Sequence, residues 1–175
     1  MDLFKEIEVK DCNTLMNGGG MVVDNVQCGL KDGKIGDWNV SNTVSTMKSN
    51  LSKCGKQYGC GNCWAFVKDG LVAGGFKRPN TASAYQAKDF LIKNGFKCIF
   101  KGEHHGHSGT DYGTPCIGDI TVFEPYYVGK DFHKHGHIHI FCGDGWYSDY
   151  KSENWCHRNA NGDFSVWRYC GKGKQ

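Results

Sequence analysis

The stretch Gly61-Asn62-Cys63-Trp64-Ala65-Phe66-Val67 decides the fold prediction. Asn62 is a residue type that often caps a helix N-terminus, and apolar residues recur after it at helical spacing. Gly74-Gly75 ends the run. The pattern predicts a helix whose first residue is Cys63, so that a thiol stands at a helix N-terminus.

The elements that follow this helix indicate the fold class. A second helix is predicted over residues 83–94, with Ser83 as its cap and Gly95 as its stop. Five segments rich in β-branched and aromatic residues come next, at 96–101, 118–124, 136–142, 146–151 and 164–169. Helices followed by a run of strands favour an α+β architecture, with the helices packed on a central antiparallel β-sheet.

Length and composition limit what the chain can be. Its 175 residues fit one domain, of which 22% are charged and 39% hydrophobic, a globular balance. The net charge of +3 is too small to indicate nucleic-acid binding, and no stretch has the length of a membrane span or the pattern of a signal peptide. Residues 1–50, rich in Gly and Asn, are predicted to form an irregular N-terminal extension packed on the core, and residues 51–175 the folded domain.

The cysteine content leaves the cellular compartment open. Ten cysteines are fewer than a disulfide scaffold of this length would carry, but too many to ignore. If Cys63 is a free thiol, at least one other cysteine must also be unpaired. Four disulfides would then be the maximum.

Three residues form a candidate catalytic set. A helix N-terminus and a nearby imidazole both stabilise a thiolate, which makes Cys63 a candidate nucleophile. His137 lies on a predicted strand where Ile138 and Ile140 would face the core and His137 the site. Asp149 lies on the next predicted strand, across the turn 143–145, and could hold the second nitrogen of the ring.

A family resemblance follows from the order of these motifs. The cysteine helix, the segment Gly118-Asp119-Ile120-Thr121-Val122, the pair Gly136-His137 and the segment 146–150 together resemble the CHAP and NlpC-type cell-wall hydrolases. The resemblance covers residues 50–170 and is nearest to a phage- or effector-like branch. Asn62 and Trp64 replace the residues that usually flank the cysteine in NlpC-type enzymes.

The resemblance implies a papain-like fold and an activity. Cys63 would attack an amide of bacterial peptidoglycan, His137 would carry the proton and Asp149 would orient the ring. The enzyme would be an endopeptidase or an N-acetylmuramoyl-L-alanine amidase, used as an antibacterial effector or a phage lysin in the periplasm or cell wall of a target bacterium. We expect no cofactor or metal, a cognate immunity or inhibitor protein as a further partner, and no nucleic-acid or membrane partner. Substrate contacts are predicted for Trp64, Tyr85 and His139.

Other interpretations of the same residues remain open. Cys60 and Cys63 could form a redox pair or half of a metal site, although no βαβ pattern surrounds them and the sequence has no second Cys-x-x-Cys pair. His133, His135, His137 and His139 alternate, which would place four imidazoles on one strand face, and His104, His105 and His107 lie in the same histidine-rich half of the chain. These residues could bind a metal, which would make the protein a metal-dependent hydrolase. A cell-wall binding module without activity is the third class. Asp119 follows a glycine and is predicted to be structural, not catalytic.

Overall fold

The computed structural model describes residues 29–56, 59–102, 113–154 and 162–171. Helix α1 spans Val40–Cys54 and helix α2 spans Cys63–Ala73. A short 3-10 helix at Ala84–Gln86 continues directly into helix α3 at Ala87–Lys93. Both helices predicted from the sequence are therefore present.

The strands form one large sheet and two small hairpins. Strands β1 (Leu30–Lys31) and β2 (Lys34–Ile35) pair with each other, as do β5 (Tyr126–Val128) and β6 (Asp131–His133). The other six form an antiparallel sheet in the order β3-β10-β4-β7-β8-β9. Their bounds are Phe96–Gly102 for β3, Ile120–Phe123 for β4, His137–Phe141 for β7, Trp146–Tyr147 for β8, Lys151–Ser152 for β9 and Phe164–Tyr169 for β10.

The large sheet has an apolar layer on each face. Ile138 and Ile140 of β7 are fully buried in the cluster that also contains the inward faces of α1 and α2. On the other face, Phe123 and Trp146 belong to a second buried cluster. Removing side chains of this size from water stabilises a fold by about 1.5–3 kcal/mol each. The predicted α+β class, with helices packed on an antiparallel sheet, is confirmed.

Helix α1 was not predicted from the sequence. The expectation of an irregular segment is wrong for residues 40–50, which are helical and packed on the core, and the predicted boundary at residue 50 falls inside α1. Asn39 caps the helix by accepting a 3.0 Å hydrogen bond from Asn42 N, and Gly55 ends it in the left-handed conformation. Residues 1–28 lie outside the described residues, and the division into two units stays a prediction.

The hairpin at 143–145 is confirmed, but Asp149 does not lie on its second strand. Strand β8 ends at Tyr147, because the chain turns back there to form β9, which pairs antiparallel with β8 and places Lys151 opposite Tyr147. The chain must therefore reverse between these two residues, and Ser148 N donates to Tyr150 O at 3.0 Å within the turn. Asp149 stands at the tip of this turn.

Across the described ranges, α1, α2 and α3 are all too short or too polar to cross a lipid bilayer.

Candidate active site

Cys63 occupies the first position of α2, as the sequence predicts. Phe66 N donates to Asn62 O at 3.1 Å, which closes the first turn of the helix. The N–H groups ahead of Phe66 have no carbonyl partner inside the helix, because four donors at every helix start lack one. The thiol is therefore surrounded by donors that are already oriented.

The thiol opens into a cavity of about 680 Å³. His137 and Asp149 line the same cavity, so the structure brings the three predicted catalytic residues to one site. The remaining lining residues are mainly aromatic or polar, and they are Gly61, Tyr126, Val128, Phe132, His133, Lys134, His135, Gly136, Tyr150 and Ser152. A concave site with a few convergent polar groups is typical of a substrate pocket.

Burial, more than the helix start, sets the protonation of the thiol. Burial and then the nearby Asp149 carboxylate raise the pKa of Cys63 to about 11. Backbone hydrogen bonds from Ile138, Trp64 and Cys63 itself act in the opposite direction and lower it. The thiol is thus neutral near pH 7, in contrast to the thiolate that the sequence pattern favours.

Asp149 holds the loop that leads to the nucleophile. Its Oδ2 accepts hydrogen bonds from Cys60 N at 2.7 Å and from Asn62 N at 2.9 Å, and its Oδ1 accepts one from Ser148 Oγ at 3.3 Å. The side chain is 3% exposed. These bonds join the turn after β8 to the residues just before α2, so the carboxylate fixes the position of Cys63. The role predicted for Asp149 toward the imidazole stays a prediction.

His137 begins β7 and is 5% exposed. Its ring stacks on Tyr150, with centroids 5.5 Å apart and planes 26° from parallel. Gly136 immediately before it has a φ of +65°, and a Cβ at that position would lie 2.1 Å from the carbonyl oxygen of Phe123. Only glycine allows this approach, which sets the start of the strand and therefore the position of the imidazole.

Two tyrosines that the sequence motifs do not identify as functional, Tyr126 and Tyr150, also line the site. Burial raises the pKa of both Tyr126 and Tyr150, and the nearby Cys63 and Asp149 raise both further. Tyr126 lies on β5 and stacks on His133 with centroids 4.7 Å apart. Tyr150 could have been suspected from its position beside Asp149, whereas nothing local distinguishes Tyr126 from a core aromatic residue.

The residues predicted to contact substrate differ in accessibility. Trp64 is 3% exposed and donates from Nε1 to Thr81 Oγ1 at 3.0 Å. His139 is 2% exposed, with its ring 4.8 Å from that of Trp146. Tyr85 is half-buried in the 3-10 helix, and its N–H donates to His135 O. Substrate contact by Trp64 or His139 would require movement, and all three roles stay predictions.

The alternating histidines do not share one strand. His133 ends β6 and His137 begins β7, with a turn between them that contains the exposed His135. His135 Nδ1 lies 2.7 Å from Ser83 Oγ, and the tautomer decides which group donates. The strand-borne metal site considered from the sequence is therefore not formed by these four residues. His104, His105 and His107 lie outside the described residues.

Among the described residues, the group with the spacing of metal ligands is Cys54, Cys60 and Asp149, whose ligand atoms all lie within 4.8 Å of one another. Cys60 therefore has Cys54 as a neighbouring thiol, in addition to Cys63 in its own sequence motif.

Comparisons with known proteins agree with this architecture. No family model matches the chain, and no curated protein sequence matches it significantly. Among solved structures, it is similar to a chain of the type VI effector-immunity complex Tae3-Tai3 from Ralstonia pickettii, with 25% identity, a TM-score of 0.56, and coverage of 74% of this chain and 98% of the other. The selenomethionine form of that complex gives 25% identity, a TM-score of 0.54, and coverage of 71% and 97%. The chain therefore shares its fold with a component of an effector-immunity complex.

Proposed function

We propose that the protein is a cysteine amidase or peptidase of bacterial peptidoglycan, with Cys63 as nucleophile and His137 as general base. The observation that carries the proposal is the shared cavity: a thiol at a helix start, an imidazole at a strand start and a buried carboxylate line one concave site. This combination provides a nucleophile, a base and a positioning group together.

The reaction starts from a neutral thiol, because burial raises the pKa of Cys63. His137 removes the proton as the sulfur attacks the amide carbonyl, so the thiolate forms only as it is consumed. The proton then passes from His137 to the leaving amine, and an acyl-enzyme remains on Cys63. Water, activated by the same imidazole, hydrolyses this thioester and restores the thiol.

The oxyanion of each tetrahedral intermediate needs donors that are fixed in advance. The backbone N–H groups of Cys63 and Trp64, at the start of α2, donate hydrogen bonds to the Cys63 sulfur and lower its pKa. Such donors need no reorganisation during the reaction, and removing one typically costs about 10²–10³-fold in kcat. The same groups therefore assist both the thiolate and the oxyanion.

Asp149 acts in this scheme as a positioning residue for the nucleophile. Its two bonds from Cys60 N and Asn62 N hold the loop that leads into α2, and therefore Cys63 at the start of that helix. The amide that Asp149→Asn introduces could keep both bonds through its carbonyl oxygen, whereas the methyl group of Asp149→Ala could keep neither. Asp149→Asn is thus milder than Asp149→Ala in this account.

The substrate class and the biological role rest on two similarities. The motifs around Cys63 and His137 resemble those of cell-wall hydrolases, and the fold is similar to a component of the Tae3-Tai3 complex. We therefore infer an antibacterial effector that acts in the periplasm or cell wall of its target. A cognate immunity protein that covers the cavity is the partner that such a role requires.

The test is digestion of purified peptidoglycan by the full chain, with mass analysis of the released fragments. We expect new amine and carboxylate ends at one type of amide bond, in the peptide stem or between the sugar and the peptide. The control is the Cys63→Ala variant at the same concentration. Intact peptidoglycan after prolonged digestion by the folded wild-type chain would contradict the proposal.

A further inference from the structure

Two cysteines outside the proposed catalytic set lie beside the nucleophile's loop. Cys54 is the last residue of α1, and Cys60 lies three residues before Cys63. Their sulfur atoms are within 4.8 Å of each other. Cys60 therefore has two cysteines with which it could form a disulfide. Cys54 lies beside it in space, and Cys63 follows it three residues later in the sequence.

Cys54 and Cys60 are free thiols in this structure, near enough to each other to pair on oxidation. The side-chain hydrogen bond with Cys54 that raises the pKa of Cys60 places the two sulfur atoms next to each other. Asn62 Nδ2 donates to Cys60 Sγ at 3.7 Å. Both thiols are partly exposed, so a small oxidant can reach them. The fold also accommodates disulfides elsewhere, because Cys116 and Cys170 are both disulfide-bonded.

We propose that Cys54 and Cys60 form a disulfide when the protein meets a disulfide-bearing oxidant, and that this bond protects Cys63 from pairing with Cys60. Two S–H bonds and the S–S bond of the oxidant break in this reaction. One S–S bond forms between Cys54 and Cys60, and the oxidant leaves as two thiols that carry the two protons. The protein loses two electrons, and the oxidant gains them.

The protection follows from the spacing of Cys60 and Cys63. Redox proteins use a Cys-x-x-Cys pair at a helix start for thiol-disulfide exchange. A free Cys60 could therefore form a disulfide with Cys63 and inactivate the nucleophile. A Cys60 already bonded to Cys54 can no longer attack or be attacked by Cys63. The bond also connects the end of α1 to the residues that Asp149 holds, so it reinforces the position of α2.

The experiment maps disulfides in the full chain after equilibration with oxidised and reduced glutathione. Remaining thiols are blocked with iodoacetamide. Trypsin, which cleaves after Lys53, Lys56 and Lys68, then separates Cys54 from the fragment that carries both Cys60 and Cys63. A bond between Cys54 and Cys60 links fragment 54–56 to fragment 57–68, with the alkyl group on Cys63. A bond between Cys60 and Cys63 leaves fragment 57–68 unlinked and without an alkyl group.

We expect the linked fragments from the wild type, with Cys63 labelled as fully as in reduced protein. In Cys54→Ser, labelling of Cys63 should fall to less than about half, because Cys60 is released for exchange. The double variant Cys54→Ser/Cys60→Ser should restore the labelling, and Cys98→Ser on β3 is the matched control that should leave it unchanged.

Three results would overturn the inference: a wild-type bond between Cys60 and Cys63, alkylation of both Cys54 and Cys60 under the most oxidising mixture, or stoichiometric release of a metal ion when the thiols are alkylated. The wild-type map decides the first part even if a variant fails to fold, which circular dichroism would reveal. Because the measurement follows labelling and not peptidoglycan cleavage, its failure is distinguishable from failure of the proposed activity.

Discussion

At the residue scale, the protonation of Cys63 determines how the site works. A helix start and an imidazole favour the thiolate, whereas burial and the Asp149 carboxylate favour the thiol. Burial is the largest of these effects in the structure and raises the pKa to about 11. The sequence can show that a cysteine begins a helix, but it cannot show how deeply the sulfur is buried or which carboxylate comes to lie beside it.

The pH dependence of alkylation measures this balance. Only the thiolate reacts with iodoacetamide, and with a pKa of about 11 its fraction rises nearly tenfold per pH unit between about pH 7 and 9. We expect the rate of labelling at Cys63, followed by peptide mapping, to rise with that slope. A rate that stays constant above about pH 6 would mean that an imidazolium already holds the thiolate, which contradicts this assignment.

His137 is the base in this account, and its loss should lower activity on peptidoglycan by about 10²–10⁴-fold in His137→Ala. His135→Ala is the control, because His135 is exposed and its ring is engaged with Ser83 at the rim of the cavity. Turnover of soluble peptidoglycan fragments compares the two variants. Greater loss in His135→Ala than in His137→Ala would move the base to the turn before β7.

At the element scale, local patterns predicted the elements whose ends carry clear stop signals. Helix α2 has Asn62 at its N-cap position, although this side chain donates to Cys60 Sγ and makes no capping hydrogen bond, and it has glycines at its end. The hairpin between β7 and β8 has its glycine turn. Helix α1 was missed because its Ser, Thr and Asn residues favour turns, although Val40, Val44 and Met47 recur at helical spacing. Asp149 was misplaced because the early end of β8 depends on pairing with β9, which no local pattern predicts.

The loop before α2 provides a prediction with a matched control. Gly59 and Gly61 both have a positive φ, of 83° and 80°, so an alanine at either position carries a similar backbone cost of about 1–2 kcal/mol. A Cβ at Gly59 would also lie 2.9 Å from both Asp149 Oδ2 and Tyr150 Cδ1, whereas a Cβ at Gly61 would meet nothing within 4 Å.

We therefore expect Gly59→Ala to reduce activity and to lower the thermal midpoint further than Gly61→Ala, because it displaces the carboxylate that holds the loop. Thermal unfolding and turnover are measured on both variants. Equal effects of the two substitutions would show that the contact between Gly59 and Asp149 does not position the nucleophile.

At the scale of the whole molecule, a buried ion pair joins the sheet to the segment before β4. Asp119 is fully buried and accepts two hydrogen bonds from Arg168, at 2.8 and 2.7 Å, and one from Cys116 N at 2.8 Å. The sequence-based prediction that Asp119 is structural is consistent with these bonds. Its partner could not be predicted, because Arg168 lies 49 residues away in the chain.

Replacing one member of this ion pair should lower the free energy of unfolding more than replacing both members. Arg168→Met leaves the carboxylate buried without its cation, so we expect a loss of about 3–5 kcal/mol in the free energy of unfolding. The double variant Arg168→Met/Asp119→Leu should recover much of that loss, because no uncompensated charge remains. Urea unfolding of the three proteins measures both values, and a single variant as stable as the wild type would contradict the prediction.

The assignment of the nucleophile is tested most directly by comparing Cys63→Ala with Cys60→Ala on purified peptidoglycan, with fragment release followed by mass analysis. Both side chains are small and neither is fully enclosed, because Cys60 lies on a loop and Cys63 faces the cavity, so neither substitution should prevent folding. We predict that Cys63→Ala loses activity by a factor on the order of 10⁶, as expected when a covalent nucleophile is removed, while Cys60→Ala retains most of it. Normal cleavage by Cys63→Ala, or equal loss in the two variants, would contradict the account.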